Sequence, residues 1–208
     1  MDIDLARTWV QAIGAAVEQH EDHLTQLDSA IGDADHGVNM HRGFSAVTTA
    51  LDDVAPDTVG ALLVKAGTTL ISSVGGASGP LYGGAFRAMG RTLDSPEATS
   101  REFAHALAAG LAAVQKLGAA SPGDKTMIDA YAPALAAFRQ RADAGAGLAA
   151  AALAAADAAE DGMRATTPMQ ARKGRASYLG ARSVGHPDPG AASTALIFRA
   201  LAETAVAR

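Results

Sequence analysis

The chain has 208 residues and a formal net charge of -5 at pH 7. This length suits one domain with a substantial buried core, so we expect residues 1–208 to form a single domain. The acidic balance argues against a general nucleic-acid-binding protein, which usually carries a basic face. The absence of cysteine excludes disulfides and thiol chemistry. We expect a cytoplasmic protein without a membrane span, because the sequence shows no signal peptide and no sufficiently long apolar run.

The composition and the spacing of apolar residues predict an all-α fold. Aromatic residues make up only 4% of the chain, and no segment alternates convincingly between apolar and polar residues. Apolar residues recur with a period of 3.6, and glycine, proline and aspartate separate the periodic segments. This pattern predicts eight helices in chain order, at 4–27, 39–51, 57–73, 80–93, 100–117, 124–140, 146–165 and 190–207.

The connections between the predicted helices are of two kinds. Those after the second, fourth and sixth helices are short and polar. Those after the first, third, fifth and seventh contain every unusual cluster of the chain, in segments 31–37, 74–80, 118–126 and 166–190. Alternate connections of an up-and-down antiparallel bundle lie at the same end. We therefore expect these four connections to form one site.

The first of these connections is an acidic turn that predicts a metal site. Asp28, Asp33 and Asp35 lie within eight positions of one another. Such like charges repel one another unless a cation lies among them. Carboxylate oxygens favour a hard cation such as Mg²⁺. A calcium-binding EF-hand would need a glutamate at the twelfth position from Asp33, and Phe44 occupies that position.

The other three unusual connections favour an anionic ligand. Two of them, 74–80 and 118–126, are rich in small residues and lead into predicted helix N-termini, which bind phosphate through unpaired N–H groups and the helix dipole. Together with the metal site, they suggest a nucleotide polyphosphate. Each connection alone has an alternative interpretation, since glycines also end helices and basic runs are often solvated loops. The fourth connection contributes four basic residues, Arg172, Lys173, Arg175 and Arg182.

Two local features bear on the class of enzyme. Gly123 is followed by Asp124 before Lys125, and no strand precedes this segment, which excludes a Walker A phosphate-binding loop. His36 lies within the acidic turn. It could orient a phosphate or a water molecule, or it could itself accept a phosphoryl group, and the sequence leaves both roles open.

Four motifs together resemble the L subunit of dihydroxyacetone kinase. They span residues 28–44, 72–81, 122–127 and 169–180, and residues 186–190 extend the match into the last helix. The resemblance covers essentially the whole chain, with the motifs in the correct order. It implies an eight-helix antiparallel barrel that binds an adenine nucleotide, ADP or ATP, at one end through two Mg²⁺ ions.

The resemblance also implies a role for individual residues. It makes Asp28, Asp33 and Asp35 the metal ligands. No residue is expected to act as a nucleophile or general base, because phosphoryl transfer requires positioning and charge neutralisation from the protein. The residues that it places around the nucleotide are His36, Gly37, Val38, Asn39, Ala77, Ser78, Gly118, Met127, Arg175, Asp188, Pro189 and Gly190.

Partner proteins follow from the same resemblance. A K subunit is expected to hold the ketose covalently, with dihydroxyacetone the first choice of ketose. An M subunit of the phosphotransferase system is expected to supply the phosphoryl group from a phosphohistidine, since a chain of this length resembles the free-standing form of the L subunit. A transcription activator is a further partner of such subunits. An ATP-dependent split kinase, a metal-dependent phosphatase and a non-catalytic regulatory module are the alternatives.

Overall fold

The computed structural model describes residues 1–208 and confirms the all-α class. The only β-type pairing is an isolated bridge between Asp2 and Glu97. None of the helices combines the length and the apolar character that crossing a membrane requires. The chain forms nine α-helices and one 3-10 helix, in the order α1 Ile3–Gln19, α2 Glu21–Ile31, α3 His36–Asp52, α4 Val59–Ser73, α5 Ser78–Gly90, α6 Ser100–Gly118, α7 Ile128–Asp143, α8 Leu148–Ala165, the 3-10 helix Arg175–Ser183 and α9 Pro189–Val206.

The first predicted helix, 4–27, is two helices in the structure. The backbone leaves the helical conformation at His20, with φ -108° and ψ 12°, and α2 begins at the next residue. Glu21 and Asp22 occupy the first turn of α2, where negative charge stabilises a helix N-terminus. The start of α2 was not predicted from the sequence because the helical spacing of apolar residues continues from α1 into α2.

Two further differences lie around the unusual connections. Helix α7 begins at Ile128 and not at 124, because Gly123 (φ 92°) and Lys125 (φ 62°) adopt left-handed conformations that a helix does not accommodate. The 3-10 helix Arg175–Ser183 was not predicted, and Gly180 interrupts it with a φ of 55°. The bounds of the six other predicted helices agree with the structure to within three residues.

Trp9 lies at the centre of the hydrophobic core and connects four helices. Its ring on α1 lies 5.6 Å from that of Phe86 on α5 and 5.8 Å from that of Phe103 on α6, measured between centroids. The indole Nε1–H donates to the carbonyl of Ile197 on α9 at 3.0 Å. A buried tryptophan whose N–H is paired contributes a large apolar area without an unsatisfied donor.

The helices pack in chain order, which separates the connections into two groups. Each helix from α3 to α9 packs against the next, and α1 packs against α3, α4 and α9. At one end, Val59 N–H donates to Ser95 O at 3.1 Å and the Arg101 side chain donates to Asp143 O at 3.1 Å, which brings together the α3–α4, α5–α6 and α7–α8 connections. The four unusual connections meet at the other end, as the alternation of the helices predicts.

Candidate functional site

A cavity of about 290 Å³ lies at the end where the four unusual connections meet. Gly37 and Val38, two residues predicted to contact a nucleotide, do not line it. A side-chain Cβ at Gly37 would lie 2.1 Å from Glu21 O, so this glycine faces α2, and the Val38 side chain is 48% exposed. The predicted residues that line the cavity are Asp28, Asp33, Asp35, His36, Asn39, Ala77, Ser78, Gly118, Met127, Arg175, Asp188, Pro189 and Gly190.

The three aspartates form a cluster on one wall of this cavity. One carboxylate oxygen from each of Asp28, Asp33 and Asp35 lies within 4.8 Å of the other two. The Asp28 carboxylate accepts the backbone N–H of Asp35 at 2.9 Å and that of His36 at 3.3 Å, which shapes the turn. At Gly32, a Cβ would lie 2.0 Å from Asp28 Oδ1, so a larger residue there would displace the Asp28 carboxylate. Three carboxylates at this spacing suit a hard divalent cation such as Mg²⁺.

Four helices begin at the cavity, namely α3, α5, α7 and α9. The N-cap residues of α3, α5 and α7 form no side-chain cap. The first N–H group of α3, at His36, donates to the Asp28 carboxylate, and that of α7, at Ile128, donates to Thr126 Oγ1 at 3.2 Å, whereas the N-terminus of α5 has no such side-chain acceptor. The N-terminus of α9 is capped by Asp188, whose carboxylate accepts Ala191 N–H at 2.8 Å. Uncapped helix N-termini offer N–H donors and positive dipole ends to an anion. The cavity thus has groups for a cation and for an anion side by side.

His36 connects the start of α3 to α5 and α9. Its Nε2 lies 2.8 Å from Ser193 Oγ and its Nδ1 lies 3.3 Å from Ser78 Oγ. Burial lowers the pKa of His36, although the carboxylates of Asp28 and Asp35 and a hydrogen bond to the Pro189 carbonyl act in the opposite direction. These contacts make His36 part of the frame of the cavity.

Lys125 holds the 166–188 segment against the 118–127 connection. Its Nζ donates to the carbonyls of Met169 at 3.0 Å, Ser183 at 2.7 Å and His186 at 2.5 Å, and the residue is 1% exposed. Burial lowers the pKa of Lys125, and Asp188 opposes that change. All three donors of the ammonium group are used, so Lys125 positions the backbone and has no donor left for a ligand.

Asp129 shapes the 118–127 connection from the first turn of α7. Its carboxylate accepts the N–H groups of Gly123 at 2.5 Å and Thr126 at 2.7 Å. Sequence reasoning did not single out Asp129, although an aspartate three residues after a threonine, here Thr126, is a recognisable backbone-capping signal.

Asp188 is a buried carboxyl group on the cavity wall. Burial raises its pKa to about 7, and this effect exceeds that of the hydrogen bond from Ala191 N–H, which acts in the opposite direction. The Asp188 backbone N–H donates to Thr166 Oγ1 at 2.9 Å, which connects the end of α8 to the start of α9.

The remaining wall of the cavity is apolar, and sequence reasoning identified only Met127 among its members. Leu81 on α5 and Val114 on α6 belong to it, with Ala120, Met127 and Ile128 from the adjacent connection and α7. A charged wall opposite an apolar wall suits a ligand with a phosphate chain and a planar apolar part. The fold and cavity therefore define an all-helical protein with a candidate metal and phosphate site built from four connections.

Comparisons with known proteins agree with this class. The DAK2 domain family matches residues 30–203. The chain is 44% identical over 205 residues to the PEP-dependent dihydroxyacetone kinase, ADP-binding subunit DhaL, of Escherichia coli (strain K12), covering 96% of this chain and 98% of that protein. It is 40% identical over 205 residues to the PEP-dependent dihydroxyacetone kinase 1, ADP-binding subunit DhaL, of Listeria innocua serovar 6a, covering 99% and 98%.

A solved structure shares the fold. The dihydroxyacetone kinase from C. freundii in complex with AMP-PNP and Mg²⁺ matches with a TM-score of 0.76 and 30% identity. The match covers 96% of this chain and 34% of that one, so the chain corresponds to about a third of the C. freundii protein. The chain belongs to the DAK2 domain family and, within it, to the dihydroxyacetone kinase ADP-binding subunits. The resemblance inferred from the four motifs is confirmed.

Proposed function

We propose that the protein is the nucleotide-bearing phosphotransferase subunit of a dihydroxyacetone kinase. In this role it carries a phosphoryl group from a phosphohistidine on an M subunit to dihydroxyacetone held by a K subunit. The observation that carries the proposal is that three clustered carboxylates and the N-terminus of α5, which has no side-chain cap, share one cavity. This combination binds a metal ion and the phosphates that it neutralises.

Different groups of the cavity would bind the metal ions and the phosphates. Asp28, Asp33 and Asp35 would hold two Mg²⁺ ions, and the N-terminus of α5 at Ala77–Ser78 would receive phosphate oxygens. When bound, a magnesium–nucleotide complex supplies the phosphate chain and neutralises the charge that develops during phosphoryl transfer. The protein would contribute position and electrostatics, which is what phosphoryl transfer requires of it.

The nucleotide would contact both walls of the cavity. The apolar wall formed by Leu81, Val114 and Met127 suits the base, and Arg175 lies on the charged side, where a guanidinium group can pair with phosphate. The start of α9 at Asp188–Gly190 closes the remaining side. Gly37 and Val38 would act indirectly, through the packing and the backbone of the first turn of α3.

The choice of phosphoryl donor rests on the relatives. The two DhaL proteins compared above are named PEP-dependent and align with this chain over nearly their full lengths. Their names support a phosphohistidine donor and a nucleotide that stays bound. The alternative is a kinase that exchanges ATP, for which the C. freundii enzyme in complex with AMP-PNP and Mg²⁺ is a precedent.

Exposed apolar side chains at the cavity end support docking of partner subunits there. Tyr178 on the 3-10 helix is 89% exposed, and Leu117 in the last turn of α6 is 58% exposed. Val38 at the start of α3 and Ile71 near the end of α4 are also exposed. Large apolar side chains that are exposed at one end of a protein favour a protein interface there. We expect the K and M subunits to use this end in turn.

The experiment that separates these functions starts with freshly purified protein. Denaturation followed by identification of the released nucleotide is expected to yield about one ADP per chain. An empty protein that ATP fills reversibly would indicate the ATP-dependent kinase. Steady release of phosphate from ATP without any partner would indicate a hydrolase and contradict the proposal.

A further inference from the structure

A chain of buried polar groups connects α9 to the cavity wall through His36. Tyr82 Oη on α5 lies 2.9 Å from Gly190 O and 2.7 Å from Ser193 Oγ. Ser193 Oγ lies 2.8 Å from Nε2 of His36, and Nδ1 of His36 lies 3.3 Å from Ser78 Oγ. The Tyr82, Ser193 and His36 residues are 4%, 0% and 8% exposed. The chain therefore runs from the backbone carbonyl of Gly190, at the start of α9, to the hydroxyl group of Ser78 at the start of α5.

The direction of these hydrogen bonds follows from the number of protons, because a carbonyl oxygen only accepts. Tyr82 Oη–H has the Gly190 carbonyl as an acceptor. Ser193 Oγ–H can donate to Tyr82 Oη or to the carbonyls of Pro189 and Gly190, which each lie 3.2 Å away. Because the single hydroxyl proton of Ser193 is used in one of these hydrogen bonds, Ser193 Oγ accepts a hydrogen bond from Nε2–H of His36. The opposite direction would leave Tyr82 Oη and the Gly190 oxygen facing each other at 2.9 Å without a proton between them.

The same count decides which nitrogen of His36 carries its proton. Nε2 must be the donor, since its partner Ser193 accepts. In the neutral ring Nδ1 is then unprotonated and accepts the hydroxyl proton of Ser78. The Ser78 oxygen consequently directs its lone pairs, and not its proton, into the cavity. A hydroxyl group in this orientation can contact a cation or accept a hydrogen bond, and cannot donate to a phosphate oxygen.

We propose that Tyr82 and Ser193 are positioning residues, which hold His36 as the Nε2–H tautomer and thereby direct the lone pairs of Ser78 towards the ligand. The identity of that ligand, a magnesium–nucleotide complex, rests on the proposed function. The tautomer and the hydrogen-bond direction do not, since they follow from contacts within the protein. The two parts are therefore tested separately.

The tautomer is measured by long-range ¹H–¹⁵N spectra of protein with ¹⁵N-labelled histidine, at pH 8 in EDTA without nucleotide. The His36→Gln variant identifies the His36 signals among those of the six histidines. The Nε2–H tautomer is expected in the wild-type protein. Ser193→Ala removes the acceptor of Nε2–H and is expected to shift His36 towards the Nδ1–H form. An Nδ1–H tautomer in the wild type, or no change in Ser193→Ala, would overturn the proposal.

Thr204→Ala is the matched control for Ser193→Ala. Thr204 lies near the other end of α9, and its buried hydroxyl group donates to Ala200 O at 2.6 Å. This variant also removes one buried hydroxyl group from α9. The tautomer of His36 is expected to stay unchanged in it. A shift as large as that of Ser193→Ala would mean that the tautomer responds to general loosening of α9, and the proposal would fail.

The effect on ligand binding is measured with a second matched pair, Tyr82→Phe and Tyr131→Phe. Tyr131 is also buried, and its hydroxyl group donates to Leu107 O at 3.0 Å, away from the cavity. Tyr82→Phe is expected to weaken the binding of Mg²⁺·ADP about fivefold, the change that loss of one typical hydrogen bond gives. Tyr131→Phe is expected to leave the dissociation constant unchanged.

The outcomes of the binding experiment are distinct from failure of the proposed function. Equal affinities in the two tyrosine variants would contradict a positioning role for Tyr82. If the wild-type protein did not bind Mg²⁺·ADP at all, the proposed function would fail, and the NMR measurement would still decide the tautomer of His36.

Discussion

Nε of Arg175 lies 3.0 Å from Oδ2 of Asp33, and this ion pair joins the 3-10 helix to the acidic turn. The Arg175 side chain is 70% exposed and that of Asp33 is 37% exposed. Ion pairs in such contact with solvent contribute less than about 1 kcal/mol to stability. The pair therefore holds a guanidinium group at the cavity. Because the pair is weak, Arg175 can exchange its carboxylate partner for an anionic ligand at little cost in free energy.

Replacement of Arg175 is expected to affect ligand binding more than stability. In Arg175→Met, the dissociation constant for Mg²⁺·ADP should rise about tenfold, because a charge-assisted contact to phosphate is lost. The unfolding midpoint in urea should change little. Arg101→Met is the control, since Arg101 forms an exposed ion pair with Asp143 at the other end of the molecule, 3.8 Å between Nε and Oδ1. An unchanged affinity in Arg175→Met would exclude a binding role for this arginine.

Loss of the Lys125 ammonium group should destabilise the protein and loosen the 166–188 segment. Lys125→Met retains the length of the side chain but leaves three carbonyls without their donor, of which that of Ser183 is buried, at a cost of roughly 1–3 kcal/mol. Urea unfolding gives the stability, and hydrogen exchange of amides in this segment gives the local opening. Lys65→Met, at an exposed position on α4, is the control and should have wild-type stability. Wild-type stability in Lys125→Met would show that the three hydrogen bonds contribute nothing net.

The raised pKa of Asp188 predicts a pH-dependent stability. With a pKa of about 7 in the folded protein and an ordinary value when unfolded, the folded state binds the additional proton between about pH 4 and pH 7. The free energy of unfolding therefore falls as the pH rises through this window, by about 1.4 kcal/mol for each unit of pKa difference.

Asp188→Asn tests this dependence, because asparagine also caps a helix N-terminus but does not titrate. In EDTA, the stability of the variant relative to the wild type should increase from pH 4 to pH 7 and then stay constant. Urea unfolding at a series of pH values measures the difference. Parallel curves for the two proteins over this range would contradict the pKa shift.

Two glycines of α5 are expected to respond in opposite directions to substitution by alanine. Gly67 on α4 and Gly83 on α5 face each other, and a Cβ at Gly83 would lie 2.5 Å from Gly67 O. Gly83→Ala should therefore lower the free energy of unfolding by about 2 kcal/mol, since the two backbones must separate. Gly84 has no atom within 4 Å of such a Cβ, and Gly84→Ala should raise the stability by up to about 1 kcal/mol. Thermal unfolding of both variants measures the difference, and equal effects would contradict the packing.

Local signals in the sequence were sufficient for the helices and for the end of the molecule at which the site lies. Asp28, Asp33 and Asp35 lie together because a short turn contains two of them and the last turn of α2 contains the third. Because successive helices run in opposite directions, Ala77 and Met127 are predicted to lie at the same end as the aspartates. The first prediction depends on a short-range sequence pattern, and the second depends on the rule that alternate connections of an antiparallel bundle lie at the same end.

Contacts between distant segments were not predictable in the same way. Ser193 lies 157 positions from His36, and nothing in its neighbourhood on α9 indicates a histidine partner. Lys125 has three backbone carbonyls as acceptors, and carbonyl groups carry no sequence signal. The break at His20 was missed for a related reason, since both helices that meet there bury apolar faces with continuous spacing.

The acidic turn is expected to bind a nucleotide through metal ions, and calorimetric titration of ADP into nucleotide-free protein tests this expectation. With Mg²⁺ present, the wild-type protein should bind one ADP, and in EDTA the binding should be lost. Asp33→Ala and Asp35→Ala should fail to bind ADP in Mg²⁺, whereas Asp53→Ala, an exposed position at the other end of α3, should bind like the wild type. Binding of equal strength in EDTA, or full affinity in both Asp33→Ala and Asp35→Ala, would show that the nucleotide does not bind through metal ions held by the acidic turn.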